Sequence, residues 1–501
     1  MLATWVAVRG EVEIREGQPQ GVYAGYGGIE ARLGSAAHGW RDAQVLSSNG
    51  ESPIAGVGAN GTAAVAWCRS LKPYGRLLYV SIAGPGRRFG PATLVSTHGR
   101  FAVSCPEALE VQPDGRVVLI WSQTLEYDLT LIKSRIQFAL LRARGTRPVL
   151  GTISANVPGE GELHAAETED GDVLVAFEVP TRLSDAQGVV QLEPGARRFT
   201  APQAIELAGN ATIRAESISA GPGGAALALT VRGEPAEDEY TDENTMAEQQ
   251  PNGAFGPPTV IFRQPVLPLG DQFRPEDATV AFTAGGARVA TWLNAFIGPP
   301  SELLEGEPIG PEVVVAAVRP AGATGFQAPV QLSVGSGRSG TPVIASVGAG
   351  TVVLWAQHEP GCRQRIYSAV GEVGTASARV LPLSGRYRAA NGECSEGSGQ
   401  IALAGSSAGA IAAWVQGSTL RITTTTGERI HPRGQSRSVL AASRRCLSSR
   451  AERSSYGIKR DHQRAGCEGG GLEPEAAVER YGAVIKCIHG DCAYGELVGG
   501  A

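Results

Sequence analysis

Short apolar runs that end on a bulky residue recur along the chain: Ala3-Thr-Trp5, Ala64-Val-Ala-Trp67, Val117-Val-Leu-Ile-Trp121, Val173-Leu-Val-Ala-Phe177, Ala226-Leu-Ala-Leu-Thr230, Arg288-Val-Ala-Thr-Trp292, Val352-Val-Leu-Trp355 and Ile411-Ala-Ala-Trp414. Their final residues are spaced 62, 54, 56, 53, 62, 63 and 59 apart. Runs of this length, bounded by Gly and Pro, read as strands. Fixed-period self-similarity reads as a repeat architecture.

Two further anchors give the repeat its register. Gly61, Gly115, Gly171, Gly224 and Gly286 stand six residues before the Trp position, and Gly350 and Gly409 stand five before it. Asp114-Gly115 and Asp170-Gly171 fit tight hairpin turns, because Gly accepts the positive φ such turns need. Pro53, Pro106 and Pro342 open the strand upstream of the turn, where no ladder donor is lost. Downstream of each Trp, Phe89-Gly-Pro-Ala, Phe199-Thr-Ala-Pro, Phe255-Gly-Pro-Pro and Phe326-Gln-Ala-Pro lead into a β-branched run. One more strand lies between Trp and Phe, clearest in Leu77–Ile82 and Val313–Val318.

Each unit thus holds four short strands, A to D, and this predicts an all-β propeller of four-stranded antiparallel blades. A solenoid repeat is usually shorter and a sandwich domain about twice as long. Six full units run from about residue 52 to 384; the N-terminus adds strands B to D and residues 399–426 add A to C. Seven blades are expected if Ala43–Ser47 closes the last unit, with six or eight as the alternatives. The first unit lacks its strand A, and the expectation is that the native chain begins upstream of Met1.

The propeller is expected over 1–428. Residues 429–465 carry ten Arg/Lys against two Asp/Glu and no clear period, so 429–501 reads as a basic, Cys-containing tail, disordered or non-native. Across the whole chain charged residues are 19% and the net charge is -5. That leaves no basic footprint for nucleic acid. No apolar run approaches a membrane span, and the N-terminus lacks the basic and apolar segments of a signal peptide.

The cysteines are the most informative polar residues. Cys68 follows strand B of one unit and Cys105 precedes the next strand A; Cys362 and Cys394 repeat that placement in a later unit. Both pairs are expected as structural disulfides, which implies an oxidising compartment. Cys446, Cys467, Cys487 and Cys492 in the tail have no standard zinc spacing.

Other motifs dissolve in context. Gly405-Ser-Ser-Ala-Gly409 matches a nucleophile elbow but falls on an A–B hairpin turn instead of a strand-to-helix turn. Gly335-Ser-Gly-Arg-Ser-Gly340 matches a dinucleotide fingerprint but is followed by Thr-Pro and a strand. The acidic stretch Glu234–Glu248 lacks ordered ligand spacing and reads as a solvated loop merging into strand C. No catalytic, cofactor or metal residue is assigned.

Long connections fall between B and C (122–134, 178–187, 232–241, 293–311) and between D and A (263–274, 384–398). In a propeller these emerge on one face, and variable loops on a rigid scaffold are where binding resides. The Trp-ended strands with Phe-Gly-Pro and Gly-turn anchors resemble secreted β-propeller repeat proteins of GC-rich actinobacteria, and more distantly sialidases in architecture. That resemblance covers about 1–428 and implies an extracellular location without a defined activity. The sialidase Asp-box is absent from the sequence. The expected function is a monomeric, non-enzymatic binding scaffold for a protein or glycan. The alternatives are a sialidase-like glycoside hydrolase and a fragment without independent function.

Overall fold

The computed structural model describes residues 27–431 apart from 36–38, 71–75, 97–102, 129–130, 144–146, 159–162, 181–184, 206–211, 233–241, 264–271, 298–311, 336–337, 360–362, 389–400, 407–408, 417–418 and 427–428. It also describes short strands at 2–8, 14–15, 18–19, 480–482, 487–488 and 491–492. Among these residues, strands are the only regular elements.

The chain forms a β-propeller in the register that the repeat predicts. Blade 1 comprises the second half of Gln44–Val57, then Ala63–Ser70, Arg76–Ala83 and Thr93–Leu94. Blade 2 is Ala108–Val111, Val117–Asp128, Leu131–Leu141 and Val149–Pro158. Blade 3 (Leu163–Glu167 to Gln203–Ile205), blade 4 (Thr212–Gly221 to Thr259–Arg263), blade 5 (Gln272–Phe282 to Val330–Gln331) and blade 6 (Val343–Val347 to Arg379–Pro382) follow. Blade 7 runs from Ile401–Ser406 to Arg429–His431. Within each blade neighbouring strands are consecutive and antiparallel, and the first strands of successive blades pack side by side.

The ends of the chain close differently from the seven-blade expectation. The segment expected to complete the last unit, Ala43–Ser47, instead pairs with Gly27–Ser35. Blade 7 has its own fourth strand, Arg429–His431, just beyond the boundary at 428. The strand Gln44–Val57 serves two sheets: Gln44–Gly50 is the outer strand of the N-terminal sheet, and Glu51–Val57 is the inner strand of blade 1. A register shift between Glu51 and Ile54, with Ser52 at φ 48°, marks the bulge where it changes sheet. Arg480–Gly482 pairs with Leu2–Val8, in the place of the missing strand A, and lies beside Thr419–Thr426 of blade 7. Among the described residues, seven four-stranded sheets therefore follow one another and both chain ends assemble an eighth.

The core lies between blades. Alternation along each strand sends one row of side chains toward the preceding blade and the next row toward the following one. Leu119 and Trp121 pack with Ala66, Leu78 and Val80 of blade 1, while Val118 and Ile120 pack with Val173, Val175 and Phe177 of blade 3. This is why the strand-B runs are apolar without alternation: both faces are covered.

The A–B hairpins of blades 1, 2, 3 and 5 share one geometry. Gln112 N donates to Arg116 O at 2.8 Å, Gly115 N donates to Gln112 O at 2.7 Å, and Gly115 has φ +79°. The same pair of bonds recurs around Gly61, Gly171 and Gly286. The Asp-Gly pairs thus form a turn closed by a glycine bulge, where Gly supplies the left-handed residue.

Candidate functional site

On the face opposite these turns, the predicted loop 122–134 is largely a protruding ribbon. Val117–Asp128 and Leu131–Leu141 stay paired as far as Asp128 and Leu131, with a bulge between Thr124 and Glu126. Cross-strand pairing lets polar residues such as Ser122, Gln123 and Thr124 extend the ladder past the core.

A cleft of about 280 Å³ opens at the base of this ribbon, on the side facing blade 1. Trp121, Gln137 and Thr152 lie abreast on three neighbouring strands, and Gln123 pairs with Arg135 one row nearer the loop end. Ser96 and Val103, from the connection out of blade 1, form the opposite wall. Trp121 is 2% exposed and its indole N–H has no acceptor. Unpaired indole N–H groups recur at Trp292 and Trp414, so this feature belongs to the repeat.

Trp121 differs in its neighbour from the tryptophans of blades 1 and 6, while Trp292 and Trp414 stand across from Val315 and Arg421. Tyr79 stacks on Trp67 with ring centroids 5.9 Å apart, and Tyr367 stacks on Trp355 at 5.8 Å. Each tyrosine is the strand-C residue paired with its tryptophan. In blade 2 that position is Gln137. An amide there leaves the cleft where a ring would pack.

Arg135 is half-buried. Its Nε and Nη2 both donate to Gln123 Oε1, at 2.9 and 2.6 Å. Gln123 is itself 4% exposed and pairs through its backbone with Val103. The guanidinium plane is therefore fixed by a neutral acceptor, without an ion pair among the described residues.

Cys68 and Cys105 are joined in a disulfide with Cα atoms 5.1 Å apart. The bond ties the end of Ala63–Ser70 to the segment before Ala108–Val111, and so pins Val103–Cys105 beside the cleft. Ser104 reinforces it: its N donates to Ser122 O at 3.0 Å, and its Oγ accepts from Ser122 N at 3.0 Å. A Glu51 carboxylate oxygen lies within 4.8 Å of both sulfurs, but sulfurs bonded to each other are not thiolate ligands. Cys362, Cys394, Cys446, Cys467 and Ser407 lie outside the described residues. Cys487 and Cys492 are backbone partners across a short hairpin.

A second polar cluster sits at the same end of blade 6. Glu359 accepts from Arg386, lies 3.9 Å from Arg365 Nε and 3.5 Å from the Tyr367 hydroxyl. Tyrosine, carboxylate and arginine together have the composition of a glycosidase site, but this carboxylate is already engaged by guanidinium groups, which suits it poorly as a base. Burial pushes the nearby Tyr387 hydroxyl up to about 12.

Glu167 and Glu248 are perturbed away from this face. Burial, and then the Asp114 charge, push Glu167 up to about 8. Burial alone would raise Glu248 too, but hydrogen bonds and charge from Arg319 and Arg288 of blade 5 outweigh it and hold the carboxyl below its ordinary value. Glu248 closes the acidic stretch 234–248; its strand, Asp242–Glu248, is strand C of blade 4, and the carboxylate is an interblade tie.

Fold and site together define a β-propeller with a polar, tryptophan-walled cleft on its loop-rich face. No family model matches the sequence, and no curated protein matches it. Among solved structures the chain is similar to an ulvan lyase from a new polysaccharide lyase family (TM-score 0.45, 10% identity, covering 75% of this chain and 92% of that one). It is also similar to the β-propeller domain of the Trilobed protease from Pyrococcus furiosus (0.39, 9%, 75% and 95%). A third is an α-L-arabinanase from Penicillium chrysogenum (0.34, 10%, 53% and 77%). At such identities the likeness carries no chemistry across.

The cysteine pair was legible in the sequence; Gln123, Arg135, Gln137 and Thr152 were not singled out. The signal for them was the exchange of Tyr for Gln at the strand-C position facing Trp, visible once the repeats are set in register.

Proposed function

We propose that this propeller is an extracellular binding scaffold that holds a saccharide in the cleft between blades 1 and 2. The observation that carries the reading is the polar lining of the cleft: Gln137 stands across from Trp121 where Trp67 and Trp355 face stacked tyrosines, and Ser96, Gln123, Arg135 and Thr152 line the same space. Amide, hydroxyl and guanidinium groups above a buried apolar floor suit a sugar, whose hydroxyls take hydrogen bonds. The Cys68–Cys105 disulfide supports an oxidising, extracellular setting. The role is read as binding, because Glu359, the carboxylate beside Tyr367 at this end of blade 6, is held by two arginines.

The test is a glycan array read with the purified chain, paired with a screen for glycoside cleavage on every hit. Binding without turnover is expected. Cleavage of a bound glycan would replace the scaffold with an enzyme, and an empty array would remove the saccharide.

A further inference from the structure

We propose that the saccharide is acidic, with its carboxylate or sulfate meeting the Arg135 guanidinium. The proposal rests on the reading of the cleft as a saccharide site and adds the class of sugar.

The lining of the cleft is rich in donors and, among the described residues, contains no carboxylate. Its polar side chains are Ser96, Trp121, Gln123, Arg135, Gln137 and Thr152. Arg135 is the sole charge among them. The buried Arg116 is held by Gln112 Oε1 and two backbone carbonyls, while Arg288 and Arg319 close on Glu248 and Arg365 faces Glu359. Arg135 leans on Gln123 Oε1 through Nε and Nη2, which leaves Nη1 uncommitted among the described residues. A guanidinium held by a neutral acceptor keeps its full charge and loses little freedom when an anion arrives. Its fork geometry matches a carboxylate or a sulfate. Gln137 and Thr152, one row deeper in the sheet and above the buried Trp121, lie where the ring of a sugar bearing that anion would extend.

The experiment is calorimetric titration of the full chain with two sets of oligosaccharides. One set contains uronates, each beside its carboxyl-reduced form; the other is sulfated, each beside its desulfated form. At least one acidic sugar is expected to bind tenfold or more tighter than its neutral form, with affinity falling as salt rises. R135Q should remove that advantage and R135K should restore part of it, both with unchanged melting temperature. W121A should abolish binding of either form. Which set binds separates carboxylate from sulfate. Equal binding of acidic and neutral forms, or an R135Q protein with unchanged preference, overturns the acidic class while the saccharide site stands. Binding to neither set, or binding untouched by W121A, overturns both.

Discussion

Gln137 lies directly across the sheet from Trp121, in the place where tyrosine stacks on tryptophan in blades 1 and 6. One side chain in the strand-C position thus separates a filled interblade core from an open cleft. Gln137→Tyr should close it. The new ring pair is worth about 0.5–1.5 kcal/mol beyond burial, so the melting temperature should rise by a few degrees while saccharide binding disappears. A variant that binds as well as the parent would show that the cleft is not the site.

Removing the Cys68–Cys105 bond should be costly well beyond its own strands. It closes a loop of 37 residues, for which chain entropy predicts about 3–4 kcal/mol. Cys105→Ser, or reduction of the parent, should lower the unfolding free energy by that amount and weaken ligand binding, because Val103 and Ser104 lose their anchor. Equal stability of reduced and oxidised protein would contradict this.

Stability should fall as pH rises from about 4.5 to about 8. Burial in the fold raises Glu167 from the ordinary 4.5 to about 8. Across that window the folded chain keeps a proton that the unfolded chain has released, so raising the pH favours unfolding. Glu167→Gln should flatten this part of the stability profile, measured by denaturant titration at half-unit intervals.

Glu248 gives the opposite slope. Its depressed value in the fold means that its contribution is present above the unfolded carboxylate range and is lost as pH falls through the folded value. Glu248→Ala leaves Arg288 and Arg319 partly buried without their partner and should cost about 1–3 kcal/mol. Conservation of the parent's acid stability in Glu248→Ala would exclude the tie.

The blade register was legible because it rests on local signals. The Trp-ended apolar strands fix strand B, and the Gly at positive φ fixes the A–B turn, as Gly115 does. The closure was not legible, because it depends on which of several equivalent edges a terminal strand joins. Ala43–Ser47 could pair with blade 7 or with Gly27–Ser35, and its continuity with the inner strand of blade 1 decided the outcome. The stretch 122–134 was read as a connection because it lies beyond the Trp-ended apolar run; ladder bonds hold 122–128 and 131–134 as strand. Interblade ties are also invisible in sequence. Gln44 brackets Phe89, with Nε2 to Phe89 O at 2.8 Å and Oε1 from Phe89 N at 3.0 Å, and Gln203 does the same to Phe255. The Phe anchors were plain, but the glutamines that hold them lie about fifty residues away in chain order.

The most direct test compares the parent and Trp121→Ala on the same glycan array, with melting curves confirming that both are folded. The account predicts a defined set of bound saccharides for the parent and loss of that set in the variant. An identical pattern from both proteins would contradict it.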